Sequence, residues 1–278
     1  MQKRVLIIIF MICILAAPVT VDAKSYTSKE EVYQIIRKNI LAHKEKFSIE
    51  MNIEVMNEIK RNSDLLNKAA DIDSKKTSKD GDYLRFSVSE WATNWQWYTN
   101  GRTADLNLTV KYRNTVSQEK KLDTEIKRVL KALKLDGKSD YAKVKKVHDY
   151  IIKKTIYDQT LKKHTAYDAL IGKSAVCDGY TLAAYRLLTD AGVMTRVITG
   201  WAAGNLHSWN IVQVGDKWYN LDLTWDDPIT DTGEQILTYD YFLKNNNDFI
   251  NHRRDSMYRT NAFNIKYPIA IESYEMRN

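Results

Sequence analysis

The stretch SAVCDGYTLAAYRLLTDAG, residues 174–192, decides how the chain is read. Tyr180, Ala183, Ala184, Leu187, Leu188 and Ala191 recur at helical spacing, and Gly192 follows as a C-terminal cap. Ser174 is the expected N-cap, which puts Cys177 in the first turn. Amide N–H groups at a helix start lack intrahelical partners, and the helix dipole is positive there. A thiol in that position is biased toward the thiolate, and the same N–H groups can help stabilise an oxyanion. Gly179 leaves room for a substrate or a neighbouring element to come close. A buried, inert cysteine is the competing reading of the same position.

A thiolate that attacks carbonyl carbon needs a histidine to hold the ion pair and protonate the leaving group. The chain offers His43, His148, His164, His207 and His252. His43 follows a helical pattern near the start of the chain. His148 sits in a helical stripe beside Val147 with no ligand partner at metal spacing, and reads as a packing residue. His164 lies in a lysine-rich loop. Only His207 opens a predicted strand, within Gly204-Asn205-Leu206-His207-Ser208-Trp209-Asn210. Gly215-Asp216 is a two-residue hairpin turn between predicted strands 207–214 and 217–224. Pairing Val214 with Lys217 sets Trp209 opposite Asp222 and His207 opposite Thr224. His207 and Asp222 then become diagonal neighbours on one sheet face, roughly 7–8 Å apart along the backbone, a span the two side chains can bridge. Leu221 and Leu223 flank Asp222 and predict a strand interior, where a carboxylate needs a partner.

Outward from this centre, Leu122, Ile126, Val129, Leu130 and Leu133 form one helical stripe. Tyr141, Val144, Val147, Ile151 and Ile152 form another, and Asp136-Gly137 separates them. Nearer the N-terminus, Ser28 and Glu31 make a capping box for a helix over 28–42. Phe47 to Val55 alternates as a strand. Leu84, Phe86 and Val88 alternate as a second strand, and Leu106 to Tyr112 as a third. Trp91, Trp95, Trp97 and Tyr98 cluster, which predicts core or interdomain packing over a ligand platform. These patterns predict an α/β domain over 24–116 and a second domain over 117–278.

The 278 residues are 44% hydrophobic and include three prolines, enough apolar surface for a folded chain of two domains. Residues 1–23 read as a signal peptide: Lys3 and Arg4, the apolar run Val5 to Ala17, then Val21-Asp22-Ala23 before Lys24. The run is short for a membrane span. Cleavage removes Cys13 and leaves Cys177 alone, so no internal disulfide can form. The net charge of +7 becomes +6 after cleavage, and residues 117–163 hold 14 Lys/Arg against 7 Asp/Glu. A solvated helix face is the first reading of that segment, and attraction to an anionic bacterial wall or membrane the second. The export signal and the lack of a binding motif exclude nucleic acid as a partner. No Cys/His pair stands at zinc spacing and no calcium-loop pattern occurs, so no metal or other cofactor is expected.

Three blocks now carry a resemblance: 174–180 around Cys177, 207–210 from His207, and Trp218-Tyr219-Asn220-Leu221-Asp222-Leu223-Thr224-Trp225-Asp226-Asp227-Pro228. In this order and spacing, supported by Tyr167-Asp168-Ala169-Leu170 and Tyr241-Phe242-Leu243, the chain resembles the transglutaminase-like superfamily, most of all its secreted bacterial members. The resemblance covers about 140 to 250. It implies an α+β, papain-like fold with the cysteine on a helix packed on an antiparallel sheet that bears the histidine and aspartate. It carries the catalytic triad onto Cys177, His207 and Asp222. Ser208 stands where many relatives have alanine, a change expected to be harmless. Members include cross-linkers, peptidases, amidases and inactive binding proteins, so the fold does not choose the reaction. The resulting expectation is a secreted acyl-transfer enzyme acting on peptide or protein amides, with a non-catalytic cell-surface or cell-wall binding protein as the alternative. Tyr180, Trp209 and Trp225 are the substrate-cleft candidates.

Overall fold

The computed structural model describes residues 26–61, 65–71, 77–98, 102–228 and 235–275. The expected signal peptide and Cys13 lie outside these residues. The first part comprises α1 (Lys29–Leu41), β1 (Lys46–Asn52), α2 (Ile53–Arg61), α3 (Leu65–Ala70), α4 (Asp82–Ser87), β2 (Val88–Trp97) and β3 (Thr103–Tyr112). Helices α5 (Val116–Leu133) and α6 (Asp140–Ile152), strand β4 (Ile156–Tyr157), α7 (Ala166–Leu170) and β5 (Ser174–Ala175) follow. Then come α8 (Cys177–Asp190), β6 (Thr195–Ala202), β7 (Asn205–Val214), β8 (Lys217–Leu221), β9 (His252–Arg254) and α9 (Asn261–Lys266). Among the described residues no helix is long and apolar enough to cross a membrane.

The first part is an antiparallel sheet in the order β1-β3-β2, whose inner residues Ile49, Met51, Leu106 and Leu108 bury against Val32, Ile36 and Ile40 of α1. Ser28 caps α1 by accepting from the Glu31 amide at 3.2 Å. Two strand predictions fail here. The alternation through Val55 stops at Asn52, because Val55, Met56 and Ile59 share the buried face of α2. Leu84 and Phe86 belong to α4, and the strand starts only at Val88. Three alternating residues are too few to fix a period, and tertiary contacts decide. Asp82 accepts from Arg196 Nε at 2.7 Å and from the Val197 amide at 2.8 Å, which fastens α4 to β6. The tryptophan cluster is not core either: Trp91, Trp97 and Tyr98 are exposed at the edge of the sheet, and only Trp95 packs partly against the interior.

The second part is built on α8, buried from Gly179 to Leu188, against an antiparallel sheet in the order β8-β7-β6-β9. Alternation along the strands separates two faces. Val197, Val212 and Leu221 pack with α8, α6 and α7, whereas Ile198, Trp209, Ile211 and Trp218 form a separate cluster with Phe249, Tyr258 and Tyr267. Gly179 is required by the packing of α8: a Cβ there would lie 2.4 Å from Ala175 Cβ and 3.0 Å from the Thr165 carbonyl oxygen. The neighbour that approaches is therefore protein. Gly192, at φ +83°, ends α8 in a Schellman motif, with Val193 N–H donating to Leu188 and Gly192 N–H to Thr189. The architecture is α+β, with the helix that begins at Cys177 packed on an antiparallel sheet.

Candidate active site

Cys177 is the first residue of α8. The N-cap is Val176, which makes no side-chain cap bond, and not Ser174 as expected. Ser174 and Ala175 instead pair with Ile156 and Tyr157 in parallel, so the chain enters the helix directly from a strand. The side chain of Asp178 is held on both oxygens. Ser208 Oγ donates to Oδ1 at 2.9 Å, and His164 Nδ1 lies 3.1 Å from Oδ2. Ser208 thus ties β7 to the start of α8, a bond that alanine could not make.

The hairpin register places the other two residues. Val214 pairs with Lys217 across Gly215-Asp216, and the ladder continues through Asn210 and Leu221. At the opposite end of β7, Ala203 and Gly204 have φ of +45° and +83° and close a two-residue hairpin with β6, which puts His207 near the tip. Strand β8 ends at Leu221 and not at 224, so Asp222 opens a turn and does not lie inside a strand. The reason is local: Asp222 Oδ1 accepts from the Thr224 amide at 2.9 Å and the Trp225 amide at 3.2 Å, which bends the chain away from the ladder. Its other oxygen, Oδ2, accepts from His207 Nε2 at 2.6 Å.

Burial alone would push the His207 imidazole down. The charge of Asp222 and its hydrogen bond, with a further hydrogen bond to Cys177, outweigh burial and raise it to about 10. Burial alone would push the Asp222 carboxyl up. The charge of His207 and the hydrogen bonds from two histidines hold it well below the usual carboxylate range. The arrangement therefore favours an imidazolium on an ionised carboxylate, next to a half-buried free thiol.

Cys177 and His207 face one cavity of about 560 Å³, bordered also by Tyr157, Gln159, Leu206, Thr224, Trp225 and Asp227. Of the three cleft candidates only Trp225 borders it. Tyr180 is fully buried in the core and donates its hydroxyl to Asp227 Oδ2 at 2.6 Å. Trp209 is also buried, on the sheet face among Phe249 and Tyr258. For these two residues aromatic packing, the other reading of their sequence positions, holds, since strand and helix periodicity turn both inward.

Two further histidines hold this region. His252 also opens a strand, β9, against the expectation that only His207 does so, and its Nε2 donates to Asp222 Oδ2 at 2.9 Å. Its Nδ1 lies 2.8 Å from the Ile250 carbonyl oxygen. Both ring nitrogens of His252 are thus engaged, whereas His207 keeps one for Cys177. No signal marks His252 in the sequence, since its strand has three residues and its partner lies 30 positions away. His148 is buried, as expected of a packing residue, yet it also bonds Asp226 Oδ2 through Nε2 at 3.1 Å. Among the described residues His207, Asp222 and His252 form one group of metal-ligating types, with ligand atoms within 4.8 Å of one another. Their direct hydrogen bonds account for that closeness.

Residues 127–223 match the family model of the transglutaminase-like superfamily. The matched segment runs from α5 through Cys177 and His207 to just past Asp222. None of the curated proteins compared matches the chain. Among solved structures it is similar to a TGase, at 19% identity over 65% of this chain and 51% of that one, with a TM-score of 0.37. It is also similar to a candidate cysteine protease from Cytophaga hutchinsonii, at 14% identity over 54% of this chain and 69% of that one, with a TM-score of 0.34. A candidate protease from Parabacteroides distasonis is similar at 10% identity over 69% of this chain and 44% of that one, with a TM-score of 0.29. The chain spans about half the length of the first of these.

Proposed function

We propose that the protein is a thiol enzyme that acts on peptide or protein amides through Cys177, His207 and Asp222. The 2.6 Å bond between His207 and Asp222, beside Cys177 in one cavity, carries this reading. Cys177 Sγ attacks the amide carbon, and the imidazolium of His207 gives its proton to the departing amine, leaving a thioester. His207, now neutral, takes a proton from water as the water attacks the thioester. The acid leaves and the thiolate–imidazolium pair is restored. Asp222 holds the His207 Nε2–H and so keeps the other ring nitrogen turned to sulfur. Amide N–H groups at the start of α8 would donate to the oxyanion.

Water is favoured as acceptor over an amine. Water is present at about 55 M, and an amine must be positioned and deprotonated by a second site to exceed that effective concentration. The test supplies a labelled primary amine and a glutamine-rich protein to the mature chain and to Cys177→Ala. Cys177-dependent release of new termini or ammonia without amine incorporation supports hydrolysis. Stoichiometric incorporation replaces it with cross-linking. Absence of any Cys177-dependent product across peptide, protein and wall substrates favours a non-catalytic binding protein on this fold.

We further propose export, with cleavage before Lys24, and a cell-wall-associated substrate approached by the basic segment 117–163. Lys120, Lys121, Lys127, Lys131, Lys146, Lys153 and Lys154 are exposed on or just beyond α5 and α6. Binding to isolated walls should weaken steeply as salt is raised. Salt-independent binding, or none, would leave these lysines as solvated helix surface. N-terminal sequencing of protein recovered from culture medium tests the cleavage.

A further inference from the structure

A second cavity, of about 400 Å³, lies on the sheet face that carries Trp209 and Asn220, and His252 on its wall connects it to Asp222. It shares no bordering residue with the cavity of Cys177. Arg253, Arg254 and Arg259 border it, and no carboxylate does. Among the described residues none of these three arginines has a carboxylate oxygen within 4.0 Å. Arg254 is half-buried and its one side-chain bond is to a neutral acceptor, Asn220 Oδ1, at 2.8 Å. Burial pulls its guanidinium below the usual range. Asn220 is itself fixed, its amide donating to the carbonyls of Lys244 and Asn245 and to Asn246 Oδ1.

The wall holds another unmet group. Trp209 is 1% exposed, and its indole N–H is buried with no acceptor among the described residues. Unpaired buried donors are rare and costly. The backbone is shaped to bring Arg254 here: a Cβ on Gly200 would lie 2.2 Å from the Arg253 carbonyl oxygen and 2.9 Å from Arg254 Cα, so only glycine lets β9 close on β6. The arginines therefore offer the cavity several donors and an uncompensated positive charge. A group with several acceptor oxygens and more than one negative charge meets both, which a single carboxylate does only in part.

We propose that this cavity binds a phosphate group, with Arg254 and Arg259 as its principal ligands. The volume exceeds that of the bare ion, so it admits either inorganic phosphate or the phosphate of a small organic monoester. The proposal does not rest on Cys177 being a nucleophile.

Titration calorimetry on the mature chain at fixed ionic strength, with inorganic phosphate, glycerol 3-phosphate and acetate in separate runs, tests it. Saturable one-to-one binding of inorganic phosphate or glycerol 3-phosphate is expected, weakened at least tenfold in Arg254→Gln and in Arg259→Gln. It should be unchanged in Lys111→Gln on β3. Tighter binding of glycerol 3-phosphate identifies an organic phosphate, and equal or weaker binding identifies the free ion. If Arg254→Gln does not fold, the exposed Arg259→Gln still decides. Non-saturable heats, equal affinity in the arginine variants and wild type, or acetate binding as tightly as phosphate would overturn the proposal.

Discussion

In Asp222→Asn the side chain keeps its size and loses its charge. Oδ1 can still accept from the Thr224 and Trp225 amides, so the turn survives. The other end becomes an NH₂ group facing two imidazole nitrogens, His207 Nε2 and His252 Nε2. Each of its hydrogens can donate to one of them, which forces both rings to carry their proton on Nδ1. For His252 that is tolerable, since Nδ1 already faces the Ile250 carbonyl. For His207 it places a hydrogen where the Cys177 proton must go, and the ring can no longer act as base. The magnitude has two sources. Raising His207 from 6.5 to about 10 is worth at most about 5 kcal/mol between its protonation states, much of it from Asp222. A wrong tautomer in a comparable triad costs on the order of 10⁴-fold in turnover. The fold should persist, with a similar unfolding midpoint by circular dichroism. Alkylation of Cys177 by iodoacetamide at pH 6–7, followed by mass spectrometry of the cysteine peptide, should slow at least tenfold. Wild-type alkylation rates with an unchanged pH profile in the folded variant would refute the pairing of His207 with both Asp222 and Cys177.

Three further changes probe the surroundings. His252→Ala removes one donor to a buried carboxylate and a ring packed 4.0 Å from Phe249, and should cost about 2–3 kcal/mol in urea unfolding. Turnover should fall less than in Asp222→Asn, and His252→Gln should recover part of the loss; wild-type stability in the alanine variant counts against the shared carboxylate. Gly179→Ala should destabilise by about 1–3 kcal/mol, since its Cβ would overlap Ala175, and an unchanged denaturation midpoint would contradict the close packing. The folded pKa of His207 lies above its unfolded value, so its contribution to stability is complete below pH 6.5 and is lost as pH rises through about 10. The stability gap between wild type and His207→Gln should therefore shrink across that window, and a gap that widens with pH has the wrong sign.

The parts of the molecule legible in the sequence share a property: their period or turn chemistry is local. Helix α8 and its glycine cap follow from spacing, and the register joining His207 to Asp222 follows from one two-residue turn. The misread parts depend on distant partners. Residues 84–86 are helical because Asp82 answers to Arg196 and Val197, more than 100 positions later. Asp222 leaves the strand because its own side chain captures two amides, which an apolar flank cannot reveal. Ser208 looked neutral until α8 placed Asp178 opposite it. His252 could be found only by knowing that β9 joins the sheet beside β6.

Six residues, Asp222 to Asp227, hold three buried carboxyl groups, an arrangement that burial alone would disfavour. Each has separate partners. Asp226 Oδ1 accepts from the Tyr241 amide at 2.8 Å and Thr238 Oγ1 at 3.1 Å, and Oδ2 faces His148. Asp227 accepts from Tyr180 at 2.6 Å and Gln235 at 3.0 Å. Burial raises Asp226 and Asp227 despite these bonds, whereas two histidines depress Asp222. The environments thus shift the three groups in different directions, and of the three only the one that faces His207 is held below its ordinary value. His148 and Tyr180 reach the turn from α6 and α8, so the central core fixes its position as well as the hairpin does. Buried polar pairs of this kind are a weak source of net stability, but they leave the turn few alternative conformations. A carboxylate that must sit 2.6 Å from His207 Nε2 needs that restriction more than it needs added stability.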